Sequence, residues 1–409
     1  MSQRKLFTGG RVILPDRILN DGCVLVKGDR IEQVGERSQI SPPRGTEIID
    51  AGGDYISPGF VDIHVHGGAG SDFSDGTMED LRNVTRFHAA GGVTSVAATT
   101  ASMPMQQILK ALDVIAEAKT SPPDGSRVLG AHLEGPYLLR EKRGCHLGSQ
   151  VRNPDPEEYA GFVDRADHIL SMTCAPDLPG AEEMIRSLSG AGIVISAGHS
   201  NASYSLMMRA IEWGVTHTTH LYCAMSSFVT FSKPFVKREG GMVEAILLDD
   251  RLTTEVISDG IHLSADMLRV PYKIKGPEGV AIVSDAMRGA GMPDGEYTFG
   301  PRDGQRAVVT NRESRVVTGE WLASSTFRLN EMVRVYRELV GAPLHHIVRM
   351  ASLTPAAIVR RDDPALAGLG SLEKGKLADV ILFNEEIEVK RVFVGGKEQH
   401  VQEGNRSGC

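Results

Sequence analysis

The chain has 409 residues, of which 41% are hydrophobic and 23% charged, an ordinary balance for a globular protein and enough length for an α/β barrel with additions. A net charge of −8 argues against nucleic acid or an anionic membrane surface as partner, while leaving room for a local basic pocket that receives a small acidic molecule. The N-terminal segment lacks an apolar stretch and no run approaches the roughly 18 apolar residues of a membrane span; five scattered cysteines without a C-x-x-C pair read as free thiols of a cytoplasmic protein.

From residue 1 to about 57 the pattern predicts short β hairpins, with strand-like runs at Arg11–Leu14, Cys23–Val26 and Ile31–Val34 separated by glycine-rich turn signals. The far end is alike: Asp379–Phe383 and Val389–Val394 read as strands. Both termini are therefore expected to build one small β-sandwich domain, residues 1–57 with 366–409, around a catalytic domain at 58–365. In that middle region eight short apolar segments end near His66, Thr100, Glu134, Ala175, His199, His220, Asp259 and Asp285. Helical patterns lie between most of them, at Met78–Ala90, Gln106–Lys119, Ala181–Ala191, Ser203–Trp213 and Ser264–Ile274, with Phe327–Leu339 and Leu344–Arg360 following. Eight buried strands alternating with helices predict a (β/α)₈ TIM barrel. Turn-rich stretches at Ser121–Gly125 and Gly300–Gln305 read as loops.

Catalytic groups in a barrel come from the C-terminal ends of several strands. Here those ends carry His64-Val65-His66, Glu134, His199, His220, Asp259 through His262, and Asp285. Side chains alternate along a strand, so His64 and His66 share a face and can reach one ion, and the glycines that follow leave room for a ligand. Glu134 closes an apolar strand, where a lone carboxylate is costly to bury. One carboxylate with two histidines, Glu134, His199 and His220, is a ligand set for Zn²⁺ or Fe²⁺ with an open position. The competing reading for each is structural: core histidines with backbone partners, a capping aspartate. Asp285 is the expected acid/base, taking a proton from attacking water and returning it to a departing amine. His217 is expected on the opposite strand face and is set aside.

With these residues in place, the chain resembles the amidohydrolase superfamily, and within it the N-acetylglucosamine-6-phosphate deacetylases. The segments that carry the resemblance are PGFVDIHVHGG (58–68), GAHLEGPY (130–137), KRGCH (142–146), SAGHS (196–200), THLYCAM (219–225), KREGGMV (237–243), ISDGIH (257–262), VSDAM (283–287), ASLTPA (351–356) and GSLEKGKLADVILF (370–383). The resemblance implies that Glu134, His199 and His220 hold a primary metal and that His64 and His66 supply a second position, giving one or two divalent ions per subunit. It implies acid/base duty for Asp285 and substrate contacts from His146, His262 and the segments containing Cys145, Cys223, Ala224 and Leu322. Arg238 matches a phosphate-binding arginine, often contributed by the neighbouring subunit of a homodimer; its planar fork suits phosphate oxygens.

Three features depart from the family pattern. Cys223 stands where asparagine is usual, Ser226–Gly241 is longer and carries Phe228, Phe231, Lys233, Phe235 and Lys237 around Arg238, and Trp321-Leu-Ala-Ser324 is bulkier than usual. The expected substrate is N-acetylglucosamine 6-phosphate. Its galactosamine epimer, another N-acyl compound and a silent sugar-phosphate-binding barrel are the competing readings.

Overall fold

The computed structural model describes residues 3–231, 237–319, 321–360 and 366–399. Eight parallel strands form the centre: β1 (Phe60–Val65), β2 (Val93–Thr100), β3 (Arg127–Glu134), β4 (Ile169–Cys174), β5 (Val194–Ala197), β6 (Val215–Thr218), β7 (Thr253–Ile257) and β8 (Val280–Val283). Each pairs with its sequence neighbour, from β1 to β8. Just beyond the strands the two ends of the sheet meet: Asp285 N donates to the His64 carbonyl at 2.9 Å, and His66 N and Gly67 N both donate to the Ala286 carbonyl. Every expected strand end falls within two residues of the observed one.

The barrel strands are mostly buried on both faces, as parallel strands under a helical layer must be; all eight residues of β2, four of them threonine or serine, are buried. Helices start where a side chain can satisfy the first free N–H groups. Thr77 caps Met78–Ala90, Ser203 caps Tyr204–Trp213, and Asp155 followed by Pro156 opens Pro156–Val163. The expected helix Leu344–Arg360 is two, Leu344–Met350 and Leu353–Arg360, and the carbonyl freed at Ala351 accepts from Val61 N of β1. Pro156–Val163 and Met242–Leu248 were not anticipated, both being too short for a clear period. A three-stranded antiparallel sheet, Gly295–Phe299, Gln305–Thr310 and Glu313–Val316, follows β8, and the turn-rich stretch at 300–305 is its first hairpin connection.

Strands from both termini join one hydrogen-bonded sheet of eight, in which Val380–Phe383 pairs antiparallel with Tyr55–Pro58. Arg4–Ile13 lies parallel to Glu47–Asp50 at its start and to Tyr55–Pro58 at its end. Phe7, Val12, Val24, Ile56, Val380 and Phe393 build a core separate from that of the barrel. Arg127, at the start of β3, locks this sheet to the barrel through a bidentate pair with buried Asp379 at 2.6 and 3.1 Å. No helix among the described residues is long and apolar enough to cross a membrane.

Candidate metal centre

The expected histidines and carboxylates converge at the C-terminal rim, all buried. Glu134 is at their centre. Its Oε1 lies 3.1 Å from both His199 Nε2 and His220 Nε2, which are themselves 3.1 Å apart. Its Oε2 lies 3.1 Å from His66 Nε2. His64 Nε2 is 3.3 Å from His66 Nε2, and each is 3.4 Å from Asp285 Oδ1. One carboxylate thus faces two clusters, His199 with His220 and His64 with His66 and Asp285.

Protons decide whether such a cluster suits a cation. His199 donates Nδ1–H to the Lys142 carbonyl at 2.7 Å, which leaves Nε2 as a lone pair. That lone pair faces a carboxylate oxygen, acceptor against acceptor, an arrangement that calls for a positive charge between them. His64 repeats the pattern, with Nδ1 bonded to Glu255 Oε1 at 2.5 Å and Nε2 turned to Glu134 and Asp285. Four ligand atoms about 2.05 Å from a tetrahedral ion would be about 3.3 Å from one another, close to the spacings found. The donor set therefore fits a divalent ion of the zinc or iron kind.

Charge points the same way. Burial disfavours ionised Glu134, yet His64 and His146 hold it well below the usual carboxylate range. Burial likewise opposes a charged His66, but Asp285 and Glu134 outweigh it and raise the ring to about 9. Without a metal, protons on His64 and His66 balance the carboxylates.

His146 behaves differently. Its Nδ1 accepts from Ser102 N at 3.1 Å, so its proton sits on Nε2, which donates to Glu134 Oε2 at 3.0 Å. Burial lowers it to about 4 despite Glu134. By proximity alone Glu134, His146 and His199 also form a possible ligand group; the tautomer makes His146 a hydrogen-bond donor and favours His220 as the third ligand.

The backbone carries strain where function is expected. His199, His220 and Asp285 have φ of 51°, 25° and 43°, and Ala224 and Ser324 are also left-handed. Non-glycine residues reach this region only when the surroundings enforce it, and such residues concentrate at active sites.

The remaining expected residues are spread around this centre. Ser324 Oγ donates to Asp285 Oδ1 at 3.2 Å, so the departure at Trp321–Ser324 brings in a partner for Asp285. Cys145 is buried in an apolar cluster with Ala101, Met287 and Phe299, and the Phe299 ring packs against both His66 and His146. Cys223 N donates to the His220 carbonyl, and the Ala224 carbonyl accepts from Ser200 N. His262 Nδ1 bonds Asp259 Oδ2 at 2.7 Å. Leu322 bridges to Arg315 through the backbone. Arg238 is exposed on a hairpin of Phe228–Phe231 and Lys237–Gly240, its guanidinium 5.8 Å from the Phe228 ring centre. Lys233 and Phe235 lie outside the described residues.

Two residues were missed. Glu255, in the middle of β7, bonds His64 Nδ1 and His220 N, and His217 points to it rather than away from the barrel interior, with Nε2 3.4 Å from Glu255 Oε2. A glutamate inside an apolar strand was the available signal, since it cannot be buried without partners.

The amidohydrolase family model matches residues 55–398. N-acetylglucosamine-6-phosphate deacetylase of Vibrio furnissii is 32% identical over 377 residues, covering 90% of this chain and 90% of that protein. The chain belongs to the amidohydrolase family, among its N-acetylglucosamine-6-phosphate deacetylases. Two solved members of this amidohydrolase group are close in shape. The Pasteurella multocida deacetylase superposes with a TM-score of 0.87 at 29% identity, covering 97% of this chain and 99% of that one. A Mycobacterium smegmatis deacetylase mutant, solved with N-acetyl-D-glucosamine-6-phosphate, gives 0.86 at 29% identity with the same coverage. The barrel and the hydrolase class expected from the amidohydrolase segments are both found.

Proposed function

We propose that this amidohydrolase removes the acetyl group of N-acetylglucosamine 6-phosphate: water adds to the acetamide carbonyl, the C–N bond breaks, and acetate and glucosamine 6-phosphate leave. The observation that carries the reading is the meeting of Glu134, His199, His220, His64, His66 and Asp285 around one buried point. Glu134, His199 and His220 would hold one divalent ion, Zn²⁺ or Fe²⁺, and His64, His66 and Asp285 a second with Glu134 between them. A bound ion supplies Lewis-acid polarisation of a carbonyl and acidifies water.

The chain's own groups do the rest. Asp285 accepts the proton of the attacking water and returns it to the amine nitrogen, which leaves poorly unless protonated. Ser324 Oγ, donating to Oδ1, fixes the rotamer of that carboxylate. His146, whose Nε2–H donates to Glu134, would border the acetyl group, and His262, whose Nδ1–H donates to Asp259, would offer its Nε2 as acceptor to a sugar hydroxyl. Cys145, Cys223, Ala224 and Leu322 line the substrate side. Arg238, exposed on its hairpin, would meet the phosphate of a substrate in a neighbouring subunit, the working form then being a homodimer. Residues 58–365 would be the catalytic domain and 1–57 with 366–409 the smaller one. Free thiols at Cys23, Cys145, Cys174 and Cys223 suit the cytoplasm.

Acetate release measured over both acetylated hexosamine 6-phosphates, their unphosphorylated forms and acetylated amino acids tests the reading. The gluco 6-phosphate should have the highest kcat/KM. Preference for the galacto epimer would correct the sugar, and preference for an unphosphorylated compound would overturn the phosphate assignment.

A further inference from the structure

Glu255 touches both halves of the centre without facing its interior. Its Oε1 accepts from His64 Nδ1 at 2.5 Å and from the main-chain N of His220 at 3.1 Å. Its Oε2 lies 3.4 Å from His217 Nε2, and His217 Nδ1 is tied to Thr253 Oγ1 at 2.8 Å. The carboxylate is thus held from two sides, and it in turn fixes a side chain in one cluster and a strained backbone in the other.

We infer that Glu255 is a positioning residue that turns the His64, His66 and Asp285 cluster into a cation site. The inference rests on the two-position reading above. Three physical arguments support it. A histidine can ligate through Nε2 only if its proton stays on Nδ1, and the bond to Glu255 Oε1 keeps it there. Glu134 and Asp285 alone balance half the charge of two divalent ions, and Glu255 adds a third buried carboxylate where uncompensated charge is costly. Finally, the main-chain N–H of His220 donates to the same Oε1, which anchors the carboxylate against His64.

A carboxylate that merely fills the barrel would affect stability and both ions alike, so ion binding separates the readings. Glu255→Gln keeps the size and an acceptor for both N–H groups. Metal-free wild type and variant are titrated with Zn²⁺, and bound zinc is counted by elemental analysis after dialysis at fixed Zn²⁺. Wild type should hold two ions. The variant should keep one, with the Kd of the other raised about 10–100-fold. His64→Asn should lose the same ion, and adding Glu255→Gln to it should change the remaining Kd by less than about threefold. Glu255→Asp, which keeps the charge but draws the carboxylate back from Nδ1, should show the same selective loss and serves should the glutamine variant fail to fold. Two ions bound by the variants with wild-type Kd values, or equal weakening of both, would overturn the inference. A wild type that binds one ion would instead refute the two-position reading itself, and this inference with it.

Discussion

His88 gives a pH effect that can be worked from the structure. The ring is fully buried under β1, with Nε2 donating to the Gly67 carbonyl at 2.9 Å, immediately after the His64–His66 pair. Burial pushes its pKa from 6.5 down to about 4; the bond to Gly67 opposes the shift and nearby Arg328 adds to it. A histidine whose folded pKa is depressed contributes nothing to pH-dependence while both states are neutral, above the unfolded value. As pH falls towards the folded value, the unfolded chain takes the proton first and the native state loses ground. Between about pH 7.5 and about pH 5 that single ring should remove about 2 kcal/mol of stability. In His88→Gln the amide can still donate to Gly67 but does not titrate. The assay is urea unfolding of chelated wild type and variant at the two pH values, so that ion release contributes to neither. The acid-induced loss should be smaller in the variant by about 2 kcal/mol, whatever its absolute stability. An identical loss in both proteins would refute the reasoning.

Asp285→Asn should lower kcat by about 10²–10⁴-fold with little change in KM, and near-normal kcat would remove the acid/base role. Arg238→Ala should raise KM for the phosphorylated sugar and leave the unphosphorylated one unaffected; equal weakening of both would cancel the phosphate contact. Treatment with a chelator should abolish acetate release and lower the thermal midpoint, since His199 Nε2 and Glu134 Oε1 then face each other without a cation, and adding Zn²⁺ or Fe²⁺ should restore both. Turnover that survives chelation would contradict the metal reading. Arg127→Met leaves the buried Asp379 unpaired and should cost about 3 kcal/mol, towards the lower end for a broken buried pair because Arg127 is a quarter exposed; activity per folded molecule should not change.

Much of this was legible because strand periodicity and buried charge leave marks on short segments. His64-Val65-His66 shows its common face through a single intervening residue, and Glu134 through the apolar run it ends. The barrel strands were visible because burial on both faces makes them short runs rich in apolar and small residues. Glu255 was not read. Its partners His64, His217 and His220 come from β1, β6 and the turn after β6, and no local pattern links them to a glutamate flanked by Thr254 and Val256. His217 was set aside by counting alternation back from His220, but β6 ends at Thr218 and His220 already has a left-handed backbone, so the count does not carry across. The three-stranded sheet after β8 escaped because its strands are half exposed and interrupted by charged residues. The segment Trp321–Ser324 was read only as bulkier than usual, and only three-dimensional proximity reveals the bond from Ser324 to Asp285.

The seam between β1 and β8 has a consequence for how the protein matures. His64 and His66 emerge early in synthesis and Asp285 more than two hundred residues later, yet the bonds from Asp285 N to His64 and from His66 N to Ala286 are what join the ends of the cylinder. The bonds that close the ring are thus made by the same residues that complete the centre. A chain cut before Asp285 would carry every earlier ligand yet lack both the seam that closes the cylinder and the carboxylate that completes the centre.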